Sequence, residues 1–310
     1  MTTDALGGWG LPLAILGGAL RGSVPFLFVS LGECLTEKSG KINLGLEGSL
    51  LLGAIAAYAT SYHTGSPWLG VLLAGLAGVM LGAIHAWLVQ QRRVNDISVG
   101  IAMLVFGSGA AFYLGKPYIQ PIAPQLPAIP LGAWSPLPQV QSALMLSPLL
   151  LLGIAIAPLM QWFFRSTRWG LMIRAVGESP VAAAAMGISV PRVQTLCIIS
   201  GSLIAAVGGS YLSLYFPGSW NENISSGQGL IAIALVIFAR WNPIHCLLAS
   251  FLFGGTQGLG PAIQSLGVES YYYLFNSIPY LLTLVVMILT CSPHRASVGA
   301  PESLGRANNQ

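Results

Sequence analysis

The sequence predicts an all-α integral membrane protein, a polytopic bundle of about eight to nine transmembrane helices with broken or re-entrant segments. Three observations predict it. Hydrophobic residues make up 54% of the 310 positions and charged residues 7%, against about 25% charged in a soluble domain, so a water-facing surface cannot be built. The charges are also missing in blocks: no Asp, Glu, Lys or Arg occurs over 48–84, 117–164, 193–221 or 241–268. Each block exceeds the roughly 20 residues that cross a bilayer as helix, and none alternates apolar with polar residues as a spanning strand does. Finally, the 38 glycines suit helices that associate by close backbone approach. Ala74, Gly78 and Gly82 form one such stripe, and Gly201, Ala205 and Gly209 another.

Residues 1–10 form a short tail with no basic segment ahead of an apolar stretch, so they do not read as a cleaved signal peptide. One membrane domain is expected over 11–291, with spans near 11–33, 44–61, 68–90, 97–115, 147–165, 194–216, 223–239, 243–260 and 269–291, and a polar tail over 292–310. Alternating these spans with Arg92 and Arg93 in the cytoplasm puts Lys38, Lys41, Arg165, Arg168, Arg174, Arg192, Arg240, Arg295 and Arg306 on the same side. The opposite side receives only Lys116. This is the positive-inside bias. It predicts nine crossings, the N-terminus outside and the C-terminus inside, and it explains the basic balance by topology rather than by nucleic acid. The segments near 223–239 and 243–260 are short enough to be re-entrant, which is tolerated where a broken helix lines a cavity.

Two loops exceed a turn. The outer loop 116–146 carries Pro117, Pro121, Pro124, Pro127, Pro130, Pro136 and Pro138, so it should be an extended cap with little regular structure. In the inner loop 166–193, Ser179 can cap a helix, Pro180 suits its first position, Val181 to Met186 are good helix formers, and Gly187 can end it left-handed. The helix body is apolar and needs cover. That cover is a cytoplasmic partner protein, the membrane interface, or the chain's own bundle.

A charge in a spanning helix costs about 2.5–3.5 kcal/mol on insertion scales and invites a functional reading. Arg21 falls within the first span, facing the bundle or snorkelling outward. Asn43 and Glu47, in a segment with glycines at 40, 45 and 48, share one face if that stretch is helical. They line a solute path on one reading, whereas on the other Glu47 pairs with Lys38 or Lys41 at the surface. A second polar patch spans Asn221 to Gly229, and Asn95, Asp96 and Ser98 form a third. The three feed oily helices, as a translocation path does, or they are ordinary loop ends.

The sequence has no GxxxxGK[ST] phosphate loop, HExxH or GxSxG motif. Cys34, Cys197, Cys246 and Cys291 are scattered and read as packing residues. His63, His85, His245 and His294 are isolated, so no metal site is expected.

Three stretches carry a resemblance: Gly32 to Gly48 (GECLTEKSGKINLGLEG), Gly170 to Pro180 (GLMIRAVGESP) followed by Ala182 to Ile188, and Gly229 to Pro243 (GLIAIALVIFARWNP). Together they resemble the permease subunits of bacterial ABC importers in the branched-chain amino acid and sugar permease superfamily, and the nucleoside importers most closely. The resemblance covers about residues 11–291. It implies a multi-pass protein of the bacterial cytoplasmic membrane and a pathway formed with a second, often non-identical, permease subunit. It also implies an extracytoplasmic solute-binding protein, and an ABC ATPase that supplies ATP and magnesium binding and docks on the loop helix. Arg174, Gly177, Glu178, Ala182, Ala183 and Gly187 would then belong to the coupling segment. Asn43, Glu47, Glu222 and Asn223 match polar motif positions, and with Asn95 and Ser98 they are the candidates for lining the path. The chain departs from the family at Ala239, where glycine is more usual, and at Gln228, where a basic residue is frequent.

The expected function is alternating-access import of nucleosides or related small polar solutes by a subunit that is not itself an enzyme. Related permeases for sugars or branched-chain amino acids are the alternative. An ion-coupled carrier using Glu47 or Glu222, or an intramembrane enzyme, is the rival from another class.

Overall fold

The computed structural model describes residues 10–91, 94–119, 121–264, 277–278, 281–282, 284–285, 288 and 299–306. Helices dominate. They are α1 (Gly10–Glu37), α2 (Leu46–Thr64), α3 (Pro67–Val89), α4 (Asp96–Gly115), α5 (Pro138–Ala143), α6 (Pro148–Ser166), α7 (Arg168–Glu178), α8 (Pro180–Ala185), α9 (Val190–Leu214), α10 (Gln228–Phe238), α11 (Pro243–Gln264) and α12 (Glu302–Arg306). Ser66, Asn95, Ser147 and Thr167 cap α3, α4, α6 and α7 by accepting first-turn N–H groups, and Pro67 and Pro148 open their helices. Among the described residues, five helical stretches are long and apolar enough to cross a membrane: Ile15–Glu37, Pro67–Val89, Asp96–Tyr118, Pro148–Ser166 and Val190–Leu214.

The expected segments recur with three differences. The segment near 243–260 is one continuous helix, part of the 22-residue α11. The one near 223–239 is broken: residues 215–227 are non-helical and only the 11 residues of α10 are wound. At about 1.5 Å per residue α10 rises only about 16 Å, roughly half of an apolar core of about 30 Å. The outer loop is more regular than its prolines suggest, with a 3-10 turn (Lys116–Tyr118), the antiparallel pair β1 (Ile129–Pro130) and β2 (Met145–Leu146), and α5. The span expected near 269–291 falls almost wholly outside the described residues, as do Arg92, Arg93, Cys291, His294 and Arg295, so the count of nine crossings rests on the sequence.

Helix α9 lies at the centre, packed on α1, α2 and α3. Small residues set these contacts. Gly201 meets the Gly32 carbonyl, Gly209 meets that of Leu50, and Gly78 packs on Ser202 and Ala206, so both stripes read from the sequence are helix seams. A third seam joins α1 to α11, which run antiparallel. Gly18 faces Gly258, Gly22 faces Gly254, Phe26 packs on Phe253 with ring centroids 6.1 Å apart, and the Ser30 and Ser250 hydroxyls lie 3.5 Å apart. A Cβ at Gly22 would lie 2.9 Å from the Gly254 carbonyl oxygen, closer than real contacts allow. Outward faces remain oily: Leu72, Leu76, Met80 and Trp87 on α3, and Ile101 and Val105 on α4, are exposed, a belt suited to hydrocarbon rather than water. Cys34, Cys197 and Cys246 are buried free thiols, as their scattered spacing suggested.

The loops sort to two ends. At one, which carries Lys38, Lys41, Arg168, Arg174 and Arg192 among the described residues, the Lys38 carbonyl lies against Gly177, Gln90 donates to the Pro191 carbonyl, and Lys41 pairs with Asp96 at 2.9 Å. At the other, the proline-rich loop is fastened over the helix ends: Tyr58 Oη and Ser61 Oγ donate to the Pro121 and Pro124 carbonyls at 2.8 and 2.6 Å, and Leu126 N to the Leu214 carbonyl at 2.9 Å.

The seam predicts a sharp contrast between glycines. Gly254→Val drives its side chain into the backbone of Ala19 and Ser23, and overpacking of this kind costs about 1–3 kcal/mol. A lower midpoint is expected in thermal unfolding of the detergent-solubilised protein. Gly109→Ala, whose methyl meets nothing within 4 Å, leaves that midpoint unchanged.

Candidate functional site

At the basic end the chain turns from α6 into two short helices. The sequence specified α8: Ser179 Oγ accepts from Ala182 N at 3.3 Å, Pro180 opens the helix, and Gly187 leaves it at φ 82°. It did not specify α7, whose apolar positions Ile173 and Val176 are buried in the same cluster as Ala183. Of the six residues assigned to coupling, Gly177 and Ala183 point inward, while Arg174, Glu178, Ala182 and Gly187 are exposed. One face of α8 is thus covered by its own bundle and the other is not: Val181 is 80% and Met186 70% exposed, alongside the exposed Trp169 and Leu171 of α7. Behind α7, Ser303 Oγ of α12 donates to the Gly177 carbonyl at 2.5 Å.

A buried polar cluster lies just inside this end. Glu33 and Glu37, four apart on α1, are both buried, and their carboxyl groups face each other. Glu33 Oε1 accepts from Asn43 N at 2.9 Å, Asn43 Nδ2 donates to Ser202 Oγ at 3.2 Å, and the Trp241 indole N–H donates to Glu37 Oε2. Asn43 therefore precedes α2 rather than sharing a helical face with Glu47. The Gly40 turn at φ 83° releases the chain from α1, and the carboxylate of Glu33 takes the amide that the missing helix leaves free.

Glu47 lies one turn deeper, 5% exposed, in the first turn of α2. It does not pair with Lys38 or Lys41. Lys41 is taken by Asp96, and Glu47 Oε1 accepts instead from Ser225 Oγ at 2.6 Å. The N–H groups of Gly229 and Leu230 face the same carboxylate, which complements the positive end of α10. Gln228, the first residue of α10, donates to Gln257 Oε1 of α11 at 3.1 Å. Three parts of the chain that are remote in sequence thus meet where α10 begins.

The remaining candidates lie apart. Asn95 is exposed at the basic end, where its side chain accepts from Ile97 N and Ser98 N, and Ser98 is exposed beside it. Glu222 and Asn223 are exposed in the segment leading to α10. Arg21, partly buried, reaches the Ser142 carbonyl of the proline-rich loop, and its own carbonyl accepts from Tyr211 Oη at 2.9 Å. Of the histidines, His85 is buried in the packing and His63 meets Tyr118 Oη at 2.7 Å. Glu33, Glu37, Ser225, Gln257 and Trp241 were not read as site residues. Two carboxylates four apart inside an apolar span were the available signal, since so costly a pair persists only when both find partners.

A sequence model of the family described as "Branched-chain amino acid transport system / permease component" matches residues 14–291. The chain belongs to this family. It is the membrane-spanning permease subunit of an ABC transporter, a multi-pass membrane protein. The permease is 32% identical over 259 residues to the putative glucose ABC transporter permease protein TsgC13 of Haloferax volcanii, covering 82% of this chain and 79% of that one. It is 28% identical to the nucleoside ABC transporter permease protein NupC of Lactococcus lactis, covering 89% and 91% of the two chains. It is 29% identical to the guanosine ABC transporter permease protein NupQ of Bacillus subtilis, covering 86% and 88%. No solved structure matches the permease.

Removing the indole donor tests the inner cluster. Trp241→Phe leaves Glu37 without this partner, and an orphaned buried acceptor costs about 1–3 kcal/mol. A lower unfolding midpoint is expected. In a double-mutant cycle with Glu37→Leu, which removes the acceptor, the two losses fall short of additive, whereas simple additivity would show that the indole and the carboxyl do not interact.

Proposed function

We propose that this permease is one half of an ATP-driven importer in a bacterial cytoplasmic membrane, moving nucleosides or related small polar solutes by alternating access. The observation that carries the reading is α8, a capped helix whose exposed Val181 and Met186 stand at the end that bears the basic residues. In this reading that end is cytoplasmic, and an ABC ATPase, which binds the ATP and magnesium, covers the free face of α7 and α8. Arg174, Glu178, Ala182 and Gly187 meet the ATPase, while Gly177 and Ala183 transmit its displacement to Lys38 and to α9. A second permease subunit, non-identical as in the family's nucleoside branch, completes the pathway, and an extracytoplasmic binding protein delivers solute.

Asn43 and Glu47 stand along the route in this reading. Asn95 and Ser98 lie towards its basic mouth, and Glu222 and Asn223 on the segment that descends from the other mouth. The permease needs only modest affinity, because a solute held tightly does not leave. Two relatives named for nucleosides or guanosine favour nucleosides, and the relative named for glucose keeps sugars as the second reading.

Replacing Glu178 by Arg, or Ala182 by Trp, changes the exposed face without filling the core. In proteoliposomes with the ATPase and binding protein, either variant is expected to reduce ATP-dependent nucleoside uptake at least about tenfold, the effect of losing roughly 1.4 kcal/mol of docking, while the permease still inserts. Normal uptake by both variants removes the docking assignment. Collapsing the proton gradient in ATP-replete vesicles leaves uptake intact; loss of uptake there identifies an ion-coupled carrier instead.

A further inference from the structure

The polar groups at the start of α10 are not all matched. Gln228 Oε1 is buried and has no hydrogen-bond partner, although Gln228 Nε2 donates to Gln257 Oε1; Glu47 Oε1 accepts from Ser225 Oγ, and buried Glu47 Oε2 has only the first-turn N–H groups of α10 before it. Glu47 is 5% and Gln228 9% exposed. Glu47 Oε2 is aimed at the first turn of α10, so closely that any side chain at Gly229 would run into it. Both oxygens are hydrogen-bond acceptors with lone pairs to spare. A buried acceptor without a donor costs about 1–3 kcal/mol, so the arrangement persists if a donor-bearing group visits it.

We infer that the start of α10 is a solute subsite in which Glu47, Gln228 and Gln257 receive the hydroxyl groups of a neutral polyhydroxylated solute, such as the ribose of a nucleoside. The inference rests on the importer reading and narrows its substrate class. The carboxylate of Glu47 already occupies the positive end of the half-helix, so an anionic group, a nucleotide phosphate or an amino-acid carboxylate, is repelled where a free helix N-terminus would attract it. A metal cation fits poorly for the complementary reason. Among the described residues no group of three His, Cys, Asp or Glu side chains converges, and the N–H groups that face the carboxylate offset its charge. Access comes from the preceding residue: Gly227, at φ 76°, has open space where a Cβ would stand. The non-helical segment 215–227 leads there from the proline-rich end.

The test compares two solutes through one assembled importer. Proteoliposomes containing the permease pair and ATPase, with the binding protein outside and ATP inside, are given labelled uridine or 2′,3′-dideoxyuridine. The ratio of initial uptake rates is read for the wild type, Glu47→Gln and Gln228→Met. The binding protein is the same in every arm, so its own preference cancels between variants. Rates are normalised to complex recovered by gel filtration, and should Glu47→Gln fail to assemble, Gln228→Met decides. The expected result is a wild-type preference for uridine that falls about fivefold to tenfold in either variant, the effect of one lost hydrogen bond. A preference identical in wild type and variants overturns the subsite and leaves the importer reading standing. Absence of nucleoside and sugar uptake by the wild type overturns both. The arms are repeated with choline in place of sodium and potassium; a preference that vanishes there assigns the acceptors to a cation and overturns the proposal.

Discussion

Hydrocarbon gives apolar helices no reason to leave it for one another, so a membrane bundle holds together where backbones come close enough for dispersion to accumulate. Here that closeness depends on missing side chains. Gly18 and Gly22 lie on Gly258 and Gly254, Gly32 on Gly201, Gly53 on Ala206 and Gly48 on Gly107. Helix α1 is held in this way against α11 on one side and α9 on another, and α9 also carries α2 and α3. The arrangement of every other element follows, because it fixes where Glu33, Glu37 and Asn43 stand and which helix faces the half-helix α10.

The bundle leaves room for irregular backbone only where polar partners exist. The break after α1 is served by Glu33 taking the Asn43 amide, and the break before α10 by Ser225 and Glu47. Broken helices survive at membrane depth when protein groups replace the lost backbone hydrogen bonds. Glutamates inside the apolar spans therefore have a structural function as well as any transport role. The two breaks lie within one connected region, joined through α2, whose first turn carries Glu47.

The basic end is organised differently. Its helices are short, capped by hydroxyl side chains and half covered, with Ala183 buried and Val181 exposed on the same turn and a half of α8. Gly177 touches the Lys38 carbonyl, and α12 sits against the same helix through Ser303. Helix α8 is thus connected through α7 to the loop that holds Lys38 and Asn43. This continuity is a physical route between the surface and the inner polar cluster, built from packed backbone rather than from long side chains.

Much of this was legible in the residues. Uncharged stretches pointed to apolar helices of spanning length, five of which stand among the described residues, caps such as Ser179 with Pro180 placed α8, and glycine stripes identified two helix seams, since hydropathy, capping and residue size act locally along the chain. The sequence could not say that Asn43 leaves the helix to meet Glu33, that Lys41 takes Asp96 and so frees Glu47, or that Ser225 lies beside Glu47 from 178 residues away. Nor did it show α7, the α1–α11 seam, or that α10 is wound for only 11 residues. A lone polar residue has several partners within reach of its type, and only the packing of distant helices decides which one it meets.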